Sequence, residues 1–206
     1  MNSLIQDQIS GLLSGDVKHK SNRVKSSRSY LKKPPEVMVK VSGHCRSSSH
    51  IQAHFDYISR NGKLDVEDEQ GLVYQDTDSL HQMAKSWSLD TLVEKENTRY
   101  TSHLVLSMPN GTEPKAVKQA VREFAKKTFS HNYQYVFALH TDTDSPHVHL
   151  TINNLGFDGK RLHIKKGQPQ IWREQFAYEL EKLGVAAEAT PSLRQLKFNL
   201  MSEQQL

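Results

Sequence analysis

The pattern His140-x-Asp142-x-Asp144-x-x-His147-x-His149 sits inside a β-rich stretch of the sequence. Residues 135–141 and 147–153 favour strands, and the AspThrAspSerPro segment between them has turn chemistry, so an antiparallel hairpin is predicted. Side chains alternate along a strand, which puts His147 and His149 on one face and Val148, Leu150 and Ile152 on the other. In the first strand Val136, Ala138 and His140 share a face. Turning both bulky apolar faces toward one core sets His140 across from His147 and His149. Neutral imidazoles converging on rigid backbone make a divalent metal site with an open coordination position, and the small neighbours Ala138 and Thr151 leave room for an ion and a ligand. Asp142 and Asp144 lie in the turn, where either could accept the second ring N–H of a metal-bound histidine. Solvated hairpin histidines are the plain alternative. A third histidine placed by strand geometry favours the metal.

Two further groups carry chemical potential. Arg161, His163, Lys165 and Lys166 follow a turn at Asp158 and Gly159 and suit phosphate contact, with an exposed loop as the bland reading. Tyr57 lies on the flank of a helix, beside His50 and His54, where a phenol commonly keeps its hydroxyl in water. Metal-assisted attack on a phosphodiester fits these residue types, because a cation can neutralise charge as the transition state forms. The residue types leave the nucleophile open between water and a tyrosine. They also leave open a metal hydrolase acting on a small molecule.

The elements that must hold these groups are legible in outline. Val37 to Val41 reads as a first strand; Ser47, Ser48 and Ser49 offer caps for a helix with Ile51, Phe55 and Ile58 inward and a stop at Asn61 and Gly62. The acidic stretch 64–75 reads as a solvated loop. Leu80, Met83, Ala84 and Trp87 mark a second helix, residues 102–108 a strand, and Thr112 the cap of a helix with Val117, Val121 and Phe124 inward. A last helix over about 169–183 carries Trp172, Phe176 and Leu180, and residues 185–189 add an edge strand. This order predicts an α+β fold with a central antiparallel sheet and flanking helices.

The chain has 206 residues and a single cysteine, Cys45, which excludes an internal disulfide and makes a reducing compartment the default. No apolar run is long enough to span a bilayer, so a cytoplasmic protein without membrane insertion is expected. Its net charge of +4 is unevenly placed: residues 1–35 carry +5 and the rest −1. Residues 1–35 are therefore expected to form a basic, disordered extension suited to a polyanion, in which apolar residues at helical spacing (Leu4, Ile5, Ile9, Leu12, Leu13) come ahead of the basic segment 17–35. Residues 36–195 are expected to form the folded domain and residues 196–206 a tail.

With the residues in view, the hairpin motif followed by Thr151-Ile152-Asn153 resembles the third signature of HUH-type conjugative relaxases, in particular the MOB-P class that includes plasmid TraI proteins and the T-DNA border endonuclease. HisPheAspTyr57IleSerArgAsnGlyLysLeu resembles the segment that carries the nucleophilic tyrosine of that class. HisLeuValLeuSer107MetProAsnGlyThr resembles its second signature. The resemblance runs from about Val37 to Pro191 and rests on all three segments in their expected order.

It implies a plasmid mobilisation relaxase, a site- and strand-specific DNA endonuclease and transesterase. Tyr57 would attack one strand at a transfer origin and form a 5′-phosphotyrosyl intermediate with a free 3′-hydroxyl. His140, His147 and His149 would hold a divalent ion, Mg²⁺ or Mn²⁺ by family habit, although imidazole ligands also suit other transition metals. Asp144, ahead of Asp142, would orient an imidazole, and Ser107 would contact DNA beside the cut. The implied partners are single-stranded and duplex DNA at the origin, accessory relaxosome proteins and a type IV secretion coupling protein. Family members usually continue into helicase, primase or secretion-signal regions, whereas this sequence stops at Leu206, so no helicase function is inferred. A replication initiator of the HUH type is the nearest rival, but its tyrosine typically follows the His motif. A catalytically inactive origin-binding protein left by truncation is the rival from another class.

Overall fold

The computed structural model describes residues 33–89 and 98–190. The basic segment before residue 33, with the apolar spacing at its start, and the tail 196–206 lie outside them. The elements below belong to the unit that begins at Pro34. In chain order they are β1 (Met38–Gly43), α1 (Ser48–Ser59), β2 (Val66–Asp68), β3 (Val73–Tyr74), α2 (Thr77–Leu89), β4 (Thr101–Ser107), α3 (Pro114–Thr128), β5 (Tyr135–His140), β6 (His147–Asn153) and α4 (Gln168–Lys182).

The strands form one antiparallel sheet in the order β1-β4-β6-β5-β2-β3. This is the α+β architecture expected, and the β5–β6 hairpin has the register that the alternation required: His140 opposite His147 and Ala138 opposite His149. One face of the sheet is apolar along its centre. Leu104 and Leu106 of β4, Val148, Leu150 and Ile152 of β6, and Phe137 of β5 pack there against Val117, Val121 and Phe124 of α3 and Trp172, Phe176 and Leu180 of α4. The other face is divided. Ala138, Val136 and Val66 meet the stripe Ile51, Phe55, Ile58 of α1 and Leu80, Ala84, Trp87 of α2, while β4 and β6 present Ser107, His103, Thr101, His147, His149 and Thr151 on the same side. An apolar cluster thus braces a helix against a polar half-sheet.

The stretch 64–75 departs from the expected loop. Two of its acids, Glu67 and Asp68, are buried in a short hairpin, β2 and β3, that extends the sheet beyond β5. Burial is tolerated because each carboxylate is satisfied. Asp68 accepts from the backbone N–H groups of Gln70 and Leu72 and from the Tyr74 hydroxyl. Glu67 takes the Arg122 guanidinium through both oxygens and lies 3.4 Å from Lys118 Nζ. Burial pushes the Glu67 carboxyl up, but these cations outweigh it and hold it below its ordinary range. Replacing Glu67 by Ala strands Arg122 and Lys118, and the unfolding free energy is expected to fall by about 1–3 kcal/mol in urea titrations. No change in the urea midpoint would contradict this account.

Two boundaries also shift. Glu113 rather than Thr112 caps α3, its carboxylate accepting from Lys115 N–H, while the Thr112 hydroxyl donates to the Pro109 carbonyl. The predicted edge strand near residue 188 is a single parallel bridge, Glu36 with Glu188.

Candidate metal and nucleophile site

His140 ends β5 and His147 begins β6, so the turn between them sets the mouth of the site. The imidazole ring centroids are 4.5–5.3 Å apart, and one nitrogen from each of His140, His147 and His149 lies within 4.8 Å of the others. Backbone carbonyls fix which nitrogen carries hydrogen. His140 Nε2 donates to the Ile58 carbonyl at 2.7 Å, which leaves Nδ1 with a free lone pair, and that atom is buried without a hydrogen-bond partner. His147 Nδ1 donates to the Ser145 carbonyl at 3.1 Å, leaving Nε2 as its ligand atom. His149 Nε2 is likewise buried and unpartnered. Buried lone pairs without partners are uncommon in folded chains, and here they converge. Burial, reinforced by the neighbouring His140 and His147, pushes His149 down to about 3, so at neutral pH it is in the form that binds metal. These residues fit a divalent cation.

The second-layer contacts differ from the expectation. Asp142 and Asp144 were expected to accept an imidazole N–H, but the hydrogen bonds go to backbone carbonyls instead. Asp142 forms an ion pair with Arg60. Asp144 lines a surface cleft with Asn110, Gly111 and Thr143. Both aspartates sit in the short turn that leaves the sheet at His140, which carries their carboxylates outward while the rings turn in.

Tyr57 stands over this cluster. With Ile51, Phe55 and Ile58 of α1 fully buried, the helix has only its flank to offer the triad, and Tyr57 occupies it, 49% exposed. Its ring centroid is 5.2 Å from that of His149, edge to face, and 6.0 Å from that of His140. Ser107, at the end of β4, is opposite His147 in the ladder and joins the same end of the sheet. Arg161 does not. It donates to the Arg99 carbonyl and lies over Tyr100, at the start of β4, roughly 20 Å along the strand from Ser107. Lys165 and Lys166 are exposed on the loop that follows Arg161 toward α4. Arg161 is thus close to the end of the hairpin, bridged to Leu155, but at the opposite end of the sheet from the three histidines. It borders a cleft of about 500 Å³ lined also by His44, Arg99, Ser102, Asn154 and His163.

Two features escaped the sequence reading. The first is a polar stack beside the triad: His54 lies 3.6 Å from His103, ring centroid to ring centroid and nearly parallel, with His54 Nε2 2.8 Å from Thr151 Oγ1 and His103 Nε2 2.8 Å from Thr101 Oγ1. Strand parity was the available signal for His103, which shares a face with Ser107, but only once β4 is known to pair with β6. The second is Arg60, which caps α1 one residue before the stop read at Asn61 and Gly62.

The stack has a consequence for stability. Burial lowers His54 to about 4 and His103 to about 3, in the latter case with help from His54. The unfolded chain takes up protons near the ordinary 6.5, so it binds more protons than the folded chain below that pH. Stability is therefore complete above about 6.5 and is lost progressively as pH falls toward 4 and below. In metal-free buffer the urea midpoint is expected to be clearly lower at pH 5 than at pH 7.5; equal midpoints would show that these rings are not buried neutral.

Residues 57–183 match the family described as "Relaxase: MobA/VirD2-like, nuclease domain". The chain belongs to this relaxase family. The match begins at Tyr57 and takes in the whole hairpin, a shorter span than the resemblance from about Val37 to Pro191 read in the sequence. The T-DNA border endonuclease VirD2 of Rhizobium rhizogenes is 28% identical over 155 residues, which cover 66% of this chain and 35% of that protein. The 43 kDa relaxation protein of Salmonella typhimurium is 24% identical over 132 residues, covering 59% of this chain and 34% of that protein. This relaxase chain thus spans about a third of the length of the curated relatives it matches. A solved structure described as "Molecular Basis of Vancomycin Resistance Transfer in Staphylococcus aureus" superposes with a TM-score of 0.48 at 15% identity, covering 77% of this chain and 100% of that one. Among the described residues, no helix is long and apolar enough to cross a membrane.

Proposed function

We propose that this chain nicks one DNA strand at a transfer origin by transesterification, with Tyr57 as the nucleophile. The reading takes residues 36–195 as the nuclease unit. Tyr57 Oη attacks the scissile phosphorus, the bond from phosphorus to the 3′ oxygen breaks, and the strand is left with a 5′-phosphotyrosyl end and a 3′-hydroxyl. The phenol loses its proton and the departing 3′ oxygen gains one. Because one phosphodiester replaces another, the strand can be rejoined by the reverse reaction.

The single observation that carries this reading is the position of the Tyr57 ring, half-exposed and 5.2 Å from the His149 ring in a cluster with free, buried imidazole lone pairs. His140, His147 and His149 would hold the divalent ion, Mg²⁺ or Mn²⁺ by family habit, through His140 Nδ1, His147 Nε2 and His149 Nε2. When bound, such an ion supplies charge neutralisation and polarises a phosphoryl oxygen. The carbonyls of Ile58 and Ser145 hold two of the rings in the ligating tautomer. Ser107, across the ladder from His147, would hydrogen-bond the strand beside the cut. Arg161, Lys165 and Lys166 would contact phosphates further away, which makes binding steeply salt-dependent. Duplex origin DNA, accessory relaxosome proteins and a type IV secretion coupling protein are the partners this role requires, and the cytoplasm is its place.

The test is to incubate the protein with Mn²⁺ and single strands tiled across the replicon that encodes it, then to map the DNA-modified residue by mass spectrometry. An adduct on the Tyr57 peptide is expected. An adduct on any other residue, or strand binding with no adduct, would overturn the proposal, and the latter would favour an origin-binding protein.

A further inference from the structure

The helix that carries Tyr57 ends in an unusual way. Arg60 caps α1 with φ 53° and Asn61 follows with φ 54°, before Gly62 at φ 78°. Asparagine and glycine adopt left-handed backbone readily, whereas arginine does so rarely, so Arg60 holds a conformation that glycine would take more easily. What the geometry achieves is the placement of one guanidinium. Arg60 Cζ lies 5.0 Å from the Tyr57 ring centroid, over its face, and the same group is paired with Asp142 in the β5–β6 turn. The Arg60 and Asp142 side chains are 34% and 51% exposed, so solvent screens the pair and an incoming anion can replace the carboxylate. Beside it opens a cleft of about 430 Å³ lined by Arg60, Asn61, Lys63, Leu64, Thr141 and Asp142. Two cations, an amide and an apolar wall are what a single nucleotide asks of a protein: a fork for its phosphate and a greasy surface for its base or sugar.

We propose that this cleft is the subsite for the nucleotide next to the scissile phosphate, and that Arg60 anchors the phosphodiester of that nucleotide after exchanging Asp142 for it. The inference rests on the nicking reading, since it is the neighbour of Tyr57 that gives the cleft its place on the strand. It adds a residue and a step that the triad does not explain. Asp142 acts as a stand-in for the phosphate, keeping the guanidinium extended over the phenol before the strand arrives. Lys63 supplies a second, less directional charge.

The experiment measures binding separately from cutting. Protein carrying Tyr57→Phe, which keeps the ring and cannot form an adduct, is used to select a single strand from a random pool. Affinity is then read by fluorescence anisotropy for that strand and for versions in which one phosphate at a time is an uncharged methylphosphonate. One methylphosphonate position is expected to weaken binding about 10-fold, and Arg60→Gly in the same background should weaken the all-phosphate strand by a similar factor while making that position indifferent. Glycine is the substitution of choice because it relaxes the backbone at φ 53°, so a loss cannot be ascribed to a damaged turn. Arg60→Lys should recover only part of the affinity, and Asp142→Asn should tighten binding a few-fold. If every methylphosphonate position costs the same with and without Arg60, the guanidinium touches no phosphate and the proposal falls. Loss of this coupling alongside a Tyr57 adduct overturns the subsite only; a persistent coupling without any adduct overturns the nicking reading only.

Discussion

Replacing Tyr57 by Phe is expected to abolish the covalent protein–DNA adduct and to lower strand cleavage on the order of 10⁴-fold or more, while binding of the uncut strand changes little. The size follows from what is removed. A nucleophile that forms a covalent bond has no substitute at the same position, and loss of such a group typically removes most of the rate acceleration. The selectivity follows from where the residue sits. The Tyr57 ring is half-exposed on the flank of α1, outside the buried stripe of Ile51, Phe55 and Ile58, so phenylalanine keeps the edge-to-face contact with His149 and the face offered to Arg60. A gel assay for adduct, with anisotropy for binding, separates the two. Residual cutting within about 10-fold of the parent would mean that water or another side chain attacks.

The second large effect concerns the metal. Alanine at His149 is expected to reduce cleavage by more than about 100-fold, since even supporting groups one layer out from a metal are commonly worth 10- to 100-fold. The parent protein should also be thermally stabilised by Mn²⁺, by about 2.7 kcal/mol at a concentration ~100 times its Kd, and the variant should lose that response. The two readouts answer different questions. The melting shift reports whether the imidazoles bind the ion, and the rate reports whether the bound ion matters to cutting. A parent protein whose melting temperature ignores every divalent ion tested would leave the buried lone pairs of His140 and His149 without a purpose.

The hairpin was the most legible part of the chain because both of its signals are local. A period of two over 135–140 and 147–153 fixes which side chains share a face, and the intervening turn fixes the register, so His140, His147 and His149 could be brought together before any long-range pairing was known. The helices were legible through their buried stripes for the same reason. The hairpin at 66–74 was hidden by its own composition: Glu67 and Asp68 look like a solvated run, and the burial of Glu67 depends on Arg122 and Lys118, roughly fifty residues away, while that of Asp68 depends on turn N–H groups and the Tyr74 hydroxyl. The orienting partners of the histidines were misjudged for a related cause. Carbonyls have no signature in a sequence, whereas Asp142 and Asp144 advertise themselves. Arg60 and the pair of His54 with His103 were invisible because each depends on how α1 crosses the sheet, a matter of packing geometry.

The hydrogen bond from His140 to the Ile58 carbonyl joins the helix to the sheet one residue past the phenol. The phenol of Tyr57 and the imidazole of His140, the nucleophile and a metal ligand in the proposed reading, are therefore tied to one junction of helix and sheet. A tilt of the helix would disturb the tautomer of His140 as it moved the phenol, so the junction gains nothing by flexing toward its target. On the proposed nicking reading, the adjustment for in-line attack would then fall to the DNA strand and to the half-exposed Tyr57 side chain rather than to the helix.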